Sequence, residues 1–204
     1  QRFRNEGYSA RSFHSADPVI YNRGESHLNL GFESYSYWLN MGMDKYMLDS
    51  QLTRGFSRMT EGDSFFSFII TFSGPGPYTD EMSDLSAPHM DRASELTADK
   101  FPDASEKNRS EYTHAVAHAM ETDDFIGDLV QKLEYSGLSE NTVLVLFTDH
   151  YSKYMTDHEF TQTVKGISTS TLMSICPFMI YSEDMPPAEI TKLCSSVDIL
   201  PTVA

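Results

Sequence analysis

Three short apolar runs constrain this chain more than any other feature: FFSFIITF (65–72), the apolar part of NTVLVLFTDH (142–148) and CPFMIY (176–181). A strand with one wet face alternates polar and apolar residues. A run that is apolar throughout is expected of a strand covered on both faces, the usual state in a parallel sheet. Between the first two runs, Val116, Met120, Ile126, Leu129, Val130 and Leu133 recur at helical spacing over 110–135, and Gly137 stops that helix. AEITKLCSSVDIL (188–200) follows the Pro186-Pro187 break and reads as a further helix. The order strand, long helix, strand, loop, strand, helix predicts an α/β domain, a mostly parallel sheet with helices on both faces.

The amino-terminal part is less regular. QRFRNEGY reads as the last turn of a helix stopped at Gly7, and YSARSFH (8–14) as a short strand. Residues 15–32 carry turn formers and polar groups and are expected to be a loop beyond a strand end, where α/β proteins place ligands. A short strand over 33–40 and a weak helix over 49–58 follow. SGPGPY (73–78) is a loop. The acidic stretch 79–109, with Pro88 and Pro102, is expected to be an irregular surface excursion. Met41, Met43 and Met47 read as core filler. The first residue is Gln, and the chain closes inside an apparent helix, so the expectation is a single partial domain, 1–204, of a longer protein.

Charge narrows the function classes. The formal net charge is −15 with a pI near 4.7, a surface that repels nucleic acid and anionic lipid at long range. It would also repel a phosphate substrate unless a metal ion or an arginine reverses the field locally. No run of about 20 apolar residues is present to span a membrane. Cys176 and Cys194 are too few for a disulfide framework and read as small apolar residues, one near a strand and one in a helix.

Chemistry concentrates at Asp149-His150, where the strand 142–148 gives out. Ligands of open α/β sheets bind beyond the carboxyl ends of the strands. A carboxylate oxygen beside an imidazole nitrogen suits Zn²⁺ or Mn²⁺, although a metal needs at least two further ligands. The alternative is a surface Asp and a His capping the next turn. His114 and His118 lie four apart on one helical face, a spacing that can bind metal, but the Glu that would make the motif familiar is missing. His27, His89 and His158 sit in no recognisable motif.

SGLSENTVLVLFTDHY (136–151) resembles the segment of the sulfatase and lipoteichoic-acid-synthase group, within the alkaline phosphatase superfamily, that ends in a metal-binding Asp-His. Further stretches match in the family's order: EGYSARSFHSADPVIYNRGESHLNLGF (6–32), FFSFIITFSGPGPY (65–78), CPFMIYSEDM (176–185) and SSVDILPT (195–202). The resemblance implies a sulfatase-like α/β domain incomplete at its amino-terminal side. It implies that Asp149 and His150 bind a divalent metal, Mn²⁺ first, with Mg²⁺ or Zn²⁺ as alternatives. Arg23 would grip a phosphate through its bidentate fork, Tyr21 would pack on a head group, and His14 would lie close to the same pocket. Bland readings stand beside these: Arg23 as an exposed loop cation, Tyr21 as a packing residue, His14 as a hydrogen-bonded structural histidine.

The function so implied is phosphoglycerol (phospholipid head-group) transfer or a related phosphohydrolysis, through a phospho-threonine, at the extracytoplasmic face of a bacterial cell membrane. The partner would be a phosphate-bearing lipid head group or polymer, and the parent protein would be membrane-anchored through segments absent here. The alternatives are a sulfatase-type hydrolase of sulfate esters and a non-catalytic binding module. Two departures matter. The family's nucleophile and a metal-binding Glu are expected upstream, so this chain alone is expected to be inactive. Pro75 occupies the place of the family's His in Ser-Gly-His-Gly-Pro-Tyr, and a proline side chain neither donates nor accepts.

Overall fold

The computed structural model describes residues 1–43 and 48–203; Met47 lies outside them. The chain divides into two units, 1–129 and 130–204.

The first unit is built on a parallel three-stranded sheet. A single helical turn, α1 (Arg2–Asn5), ends before Gly7, whose φ of +89° is the left-handed stop expected there. Strand β1 (Ser9–His14) is central, flanked by β2 (Ser34–Ser36) and β3 (Phe65–Ile70), with Arg11 opposite Ser34 and Ser9 to His14 opposite Phe65 to Ile70. Both pairings are parallel, as the apolar run 65–72 predicts, although the residues of β3 are each half-buried. Phe13 and Ala10 are buried in the middle strand, and Phe66 stacks on Phe3 at 4.1 Å and on Phe32 at 5.9 Å. Gly62 (φ +111°) enters β3 so tightly that an added Cβ would stand 2.7 Å from Ser9 Oγ.

Three stretches differ from the sequence reading. The span 15–32 is not only loop: a 3-10 turn (Ile20–Asn22) leads into α2 (Arg23–Asn29), which packs on β2. The weak helix expected over 49–58 is a 3-10 segment (Asp49–Gly55) continued by α3 (Phe56–Met59). The acidic excursion is largely helical, with α4 (Ser83–Ser86) and α5 (Met90–Thr97) joined through Ala87–His89. Pro88 sits in the first turn of that 3-10 link, where its missing N–H costs nothing, so it did not mark a loop.

Helix α6 (Glu106–Tyr135) is longer than expected, and its buried side coincides with the predicted apolar residues only at Leu129 and Leu133. The residues buried at helical spacing are Glu111, His114, His118, Glu121, Phe125, Leu129 and Leu133, while Val116, Met120, Ile126 and Val130 are half-buried. Hydrophobicity alone located the helix but missed a stripe whose first half is polar.

In the second unit, β4 (Leu144–Phe147) pairs antiparallel with β5 (Phe178–Tyr181), Leu144 opposite Tyr181 and Phe147 opposite Phe178. Met179 and Tyr181 are exposed, so the strand read as buried has one open face. Helix α7 (His158–Lys165) is capped by the Asp157 carboxylate, which accepts from the Phe160 N–H, and ends at Gly166 in the left-handed region. The helix expected over 188–200 is confined to a capping-box turn at Ser195–Asp198 and α8 (Ile199–Val203). Cys194 therefore lies outside any helix and is exposed, while Cys176 is half-buried.

Candidate functional site

Asp149 and His150 follow β4 after a single residue, Thr148, as expected of a strand-end site. The turn after Phe147 brings both side chains to one side, with His150 Nε2 3.5 Å from Asp149 Oδ1. His150 Nδ1–H donates to the Tyr151 carbonyl at 2.7 Å, so in the neutral ring the lone pair is on Nε2, facing the carboxylate. Two acceptors at that distance repel each other unless a proton or a cation lies between them. The donor set, one imidazole nitrogen and one carboxylate oxygen with the second ring nitrogen anchored to a backbone carbonyl, fits a divalent metal. A cavity of about 160 Å³ opens beside His150, lined also by Thr148, Tyr151, Thr161 and Cys176.

In the first unit, His14 closes β1, and Tyr21 and Arg23 lie in the segment that follows it. Tyr21 and Asn22 both adopt left-handed backbone (φ 54° and 51°), a conformation that costs a bulky L-residue about 1–2 kcal/mol. The turn so made leaves the Tyr21 ring 83% exposed, with the Arg23 guanidinium 5.2 Å from its centroid. Among the described residues no carboxylate lies within ion-pair distance of Arg23, and its charge acts instead on His14, His27 and Tyr35. An arginine without a carboxylate beside an exposed aromatic face can accept an anion carrying an apolar or sugar-like group.

His14 is buried, and its Nδ1–H donates to the Ile70 carbonyl at 2.8 Å. Burial above all lowers its pKa from 6.5 to about 4; the Ile70 hydrogen bond opposes the shift, and the Arg23 and His27 charges reinforce it. The ring is therefore neutral at pH 7. His27, also buried, has its pKa lowered by burial and then by Arg23. Among the described residues its Nδ1 has no hydrogen-bond partner, and its ring meets Tyr35 edge-on at 5.3 Å. His27 and Tyr35 belong to this cluster although nothing in the sequence singled them out.

The Pro75 loop is held by groups distant in sequence. His118 Nδ1–H donates to the Pro75 carbonyl at 3.1 Å, and the Ser73 backbone also interacts with its ring. An imidazole from α6 thus reaches the loop that lacks its own. Asp49, fully buried, accepts from the Phe72 N–H at 2.6 Å, the Ser73 N–H at 2.9 Å and Thr122 Oγ1 at 3.1 Å, which fixes the loop's first residues. Burial nevertheless raises its pKa, against the lowering effect of those hydrogen bonds. His114 does not join His118 in a metal set: its Nδ1–H donates to Ser110, and its Nε2 faces Asp80 at 3.4 Å.

The chain matches the sulfatase family over residues 1–204. It is 27% identical over 172 residues to a protein of Rhizobium meliloti (strain 1021) whose name assigns it to cyclic beta-1,2-glucan modification, covering 81% of this chain and 25% of that one. Among solved structures, the lipoteichoic acid synthase LtaP from Listeria monocytogenes superposes with a TM-score of 0.67 at 21% identity, over 91% of this chain and 46% of that one. An alkaline phosphatase superfamily protein from Vibrio parahaemolyticus gives 0.60 at 15% identity, over 98% and 45%. The C-terminal periplasmic domain of EcEptC from Escherichia coli gives 0.60 at 11%, over 89% and 50%. The chain thus spans about a quarter of the curated relative and about half of each solved structure.

Proposed function

Because this chain belongs to the sulfatase family, we propose that it is part of one partial catalytic domain of a metal-dependent phosphoglycerol transferase or related phosphohydrolase. The observation that carries the reading is the Asp149–His150 pair, an imidazole nitrogen and a carboxylate oxygen 3.5 Å apart at a strand end. They hold a divalent ion, Mn²⁺ in the first instance, with the remaining ligands and a Thr nucleophile supplied from elsewhere in the protein. When bound, such an ion supplies charge stabilisation for the transferring phosphoryl group.

The chain's own residues then have defined tasks. Arg23, which among the described residues pairs with no carboxylate and is hydrogen-bonded to Tyr35, grips phosphate oxygens through its fork. Tyr21 offers its exposed ring to the head group, and Arg23 lies against that ring. His14, neutral because it is buried, adds no charge; it fixes the end of β1 against Ile70 and leaves Arg23 as the cation of the pocket. The acidic surface does not forbid an anionic substrate when an ion and an arginine provide local positive charge.

The substrate is a phosphate-bearing lipid head group at the extracytoplasmic face of a bacterial membrane, and the protein is held to that membrane by segments outside this chain. The synthase and EcEptC likenesses support this at the level of fold, and no described helix is long and apolar enough to cross a membrane. The name of the Rhizobium relative supports a saccharide hydroxyl as acceptor, with water as the alternative. Pro75 favours a second reading, a non-catalytic binding module.

The full-length protein with Mn²⁺ is to be assayed on phosphatidylglycerol and on an aryl sulfate, with and without a glucan acceptor. Release of the glycerol-phosphate head group without sulfate release is expected. Sulfate release alone would establish the sulfatase alternative, and turnover of neither would favour the binding module.

A further inference from the structure

We infer that His89, Glu121 and Asp124 form a divalent-cation site carried by the first unit alone. Among the described residues they are the only His, Cys, Asp and Glu side chains that bring three donor atoms within 4.8 Å of one another. His89 Nε2 stands 2.8 Å from Glu121 Oε2 and 3.7 Å from Asp124 Oδ2. Glu121 and Asp124 are three apart on α6 and share a face. His89 ends the 3-10 link before α5 and approaches that face from a different element.

Three features separate this trio from an ordinary surface cluster. Glu121 is 2% exposed, yet among the described residues no Lys or Arg nitrogen lies within 4 Å of it, and His89 is its only cationic candidate. A buried carboxylate is paired or ligates a cation, since leaving it bare costs several kcal/mol. Its other oxygen, Oε1, accepts from the Ser50 N–H at 2.8 Å, the outer-shell contact that orients a ligating carboxylate. The adjoining residue Thr122 donates to the buried Asp49, which fixes this turn of α6.

The chemistry selects the ion. One imidazole with two carboxylates favours Zn²⁺ or Mn²⁺ over the hard ions Ca²⁺ and Mg²⁺, which prefer all-oxygen shells. Asp124 is largely exposed, so water completes the coordination. Binding exchanges the hydrogen bond between His89 and Glu121 for two metal–ligand bonds and ties the 87–97 segment to α6. The inference does not rest on the proposed function.

The test is calorimetric titration of the full-length protein with Zn²⁺ and Mn²⁺ in a background of Asp149→Ala and His150→Ala, which removes the other pair. One equivalent of ion is expected to remain bound. Asp124→Asn, at an exposed position, keeps the fold and is expected to weaken that binding by roughly tenfold or more, and His89→Phe should abolish it. Absence of binding in this background, or an affinity unchanged by Asp124→Asn with the circular dichroism spectrum preserved, overturns the site.

Discussion

At the scale of single residues, the account turns on groups that burial has pushed away from their ordinary ionisation. His14 has its folded-state pKa lowered from 6.5 to about 4, so it favours the folded state while neutral. That contribution is present above pH 6.5 and is lost as pH falls towards 4. At full size it is about 3 kcal/mol. His14→Gln removes the titration, so the urea midpoint of the variant should fall less steeply than that of the wild type between pH 7 and pH 4. Parallel curves would contradict the assignment. Asp49, with its pKa raised, works in the opposite sense: its contribution is present below its ordinary 3.8 and is lost as pH rises through the raised value. Asp49→Ala leaves the Phe72 and Ser73 amides without an acceptor and is expected to cost about 2–5 kcal/mol in chemical denaturation; a change under 1 kcal/mol would show that water replaces it. Asp149, His150, Arg23, Tyr21 and His14 were all legible in the sequence as candidates, because each sits in a motif or at a strand end. His89, Glu121 and Asp49 were not. Their chemistry depends on burial and on neighbours 23 to 73 residues away, and no local pattern records that.

At the scale of elements, the apolar runs located β3, β4 and β5, and the turn formers located the stops at Gly7 and Gly137. The failures have physical causes. In the acidic stretch 79–109, Pro88 occupies a helix-compatible first-turn position. The segment 188–195 has helical residues but no packed helix, since Ile190 and Leu193 are exposed and isolated short helices are marginal in water. In α6 the buried stripe takes only some of the apolar residues: Phe125, Leu129 and Leu133 are buried, while Val116, Met120, Ile126 and Val130 are half-buried. Phe125 is 4% exposed, and Phe125→Ala is expected to cost about 3–5 kcal/mol, whereas half-buried Val116→Ala should cost about 1 kcal/mol. Thermal or urea denaturation of the two variants checks the order; equal losses would restore the purely apolar stripe.

At the scale of the whole molecule, the family follows from a match over all 204 residues, while the chain spans about a quarter of the curated relative and about half of each similar solved structure. The proposal reconciles an acidic chain of net charge −15 with an anionic substrate, because Arg23 in the first unit and a cation held at Asp149–His150 in the second would each supply positive charge locally. The most direct test is Mn²⁺-dependent head-group release from phosphatidylglycerol vesicles by the full-length protein and its Asp149→Ala variant, with folding verified by circular dichroism. The account predicts metal-stimulated release in the wild type and a loss of roughly a hundredfold or more in the variant. Equal rates in both proteins would contradict it.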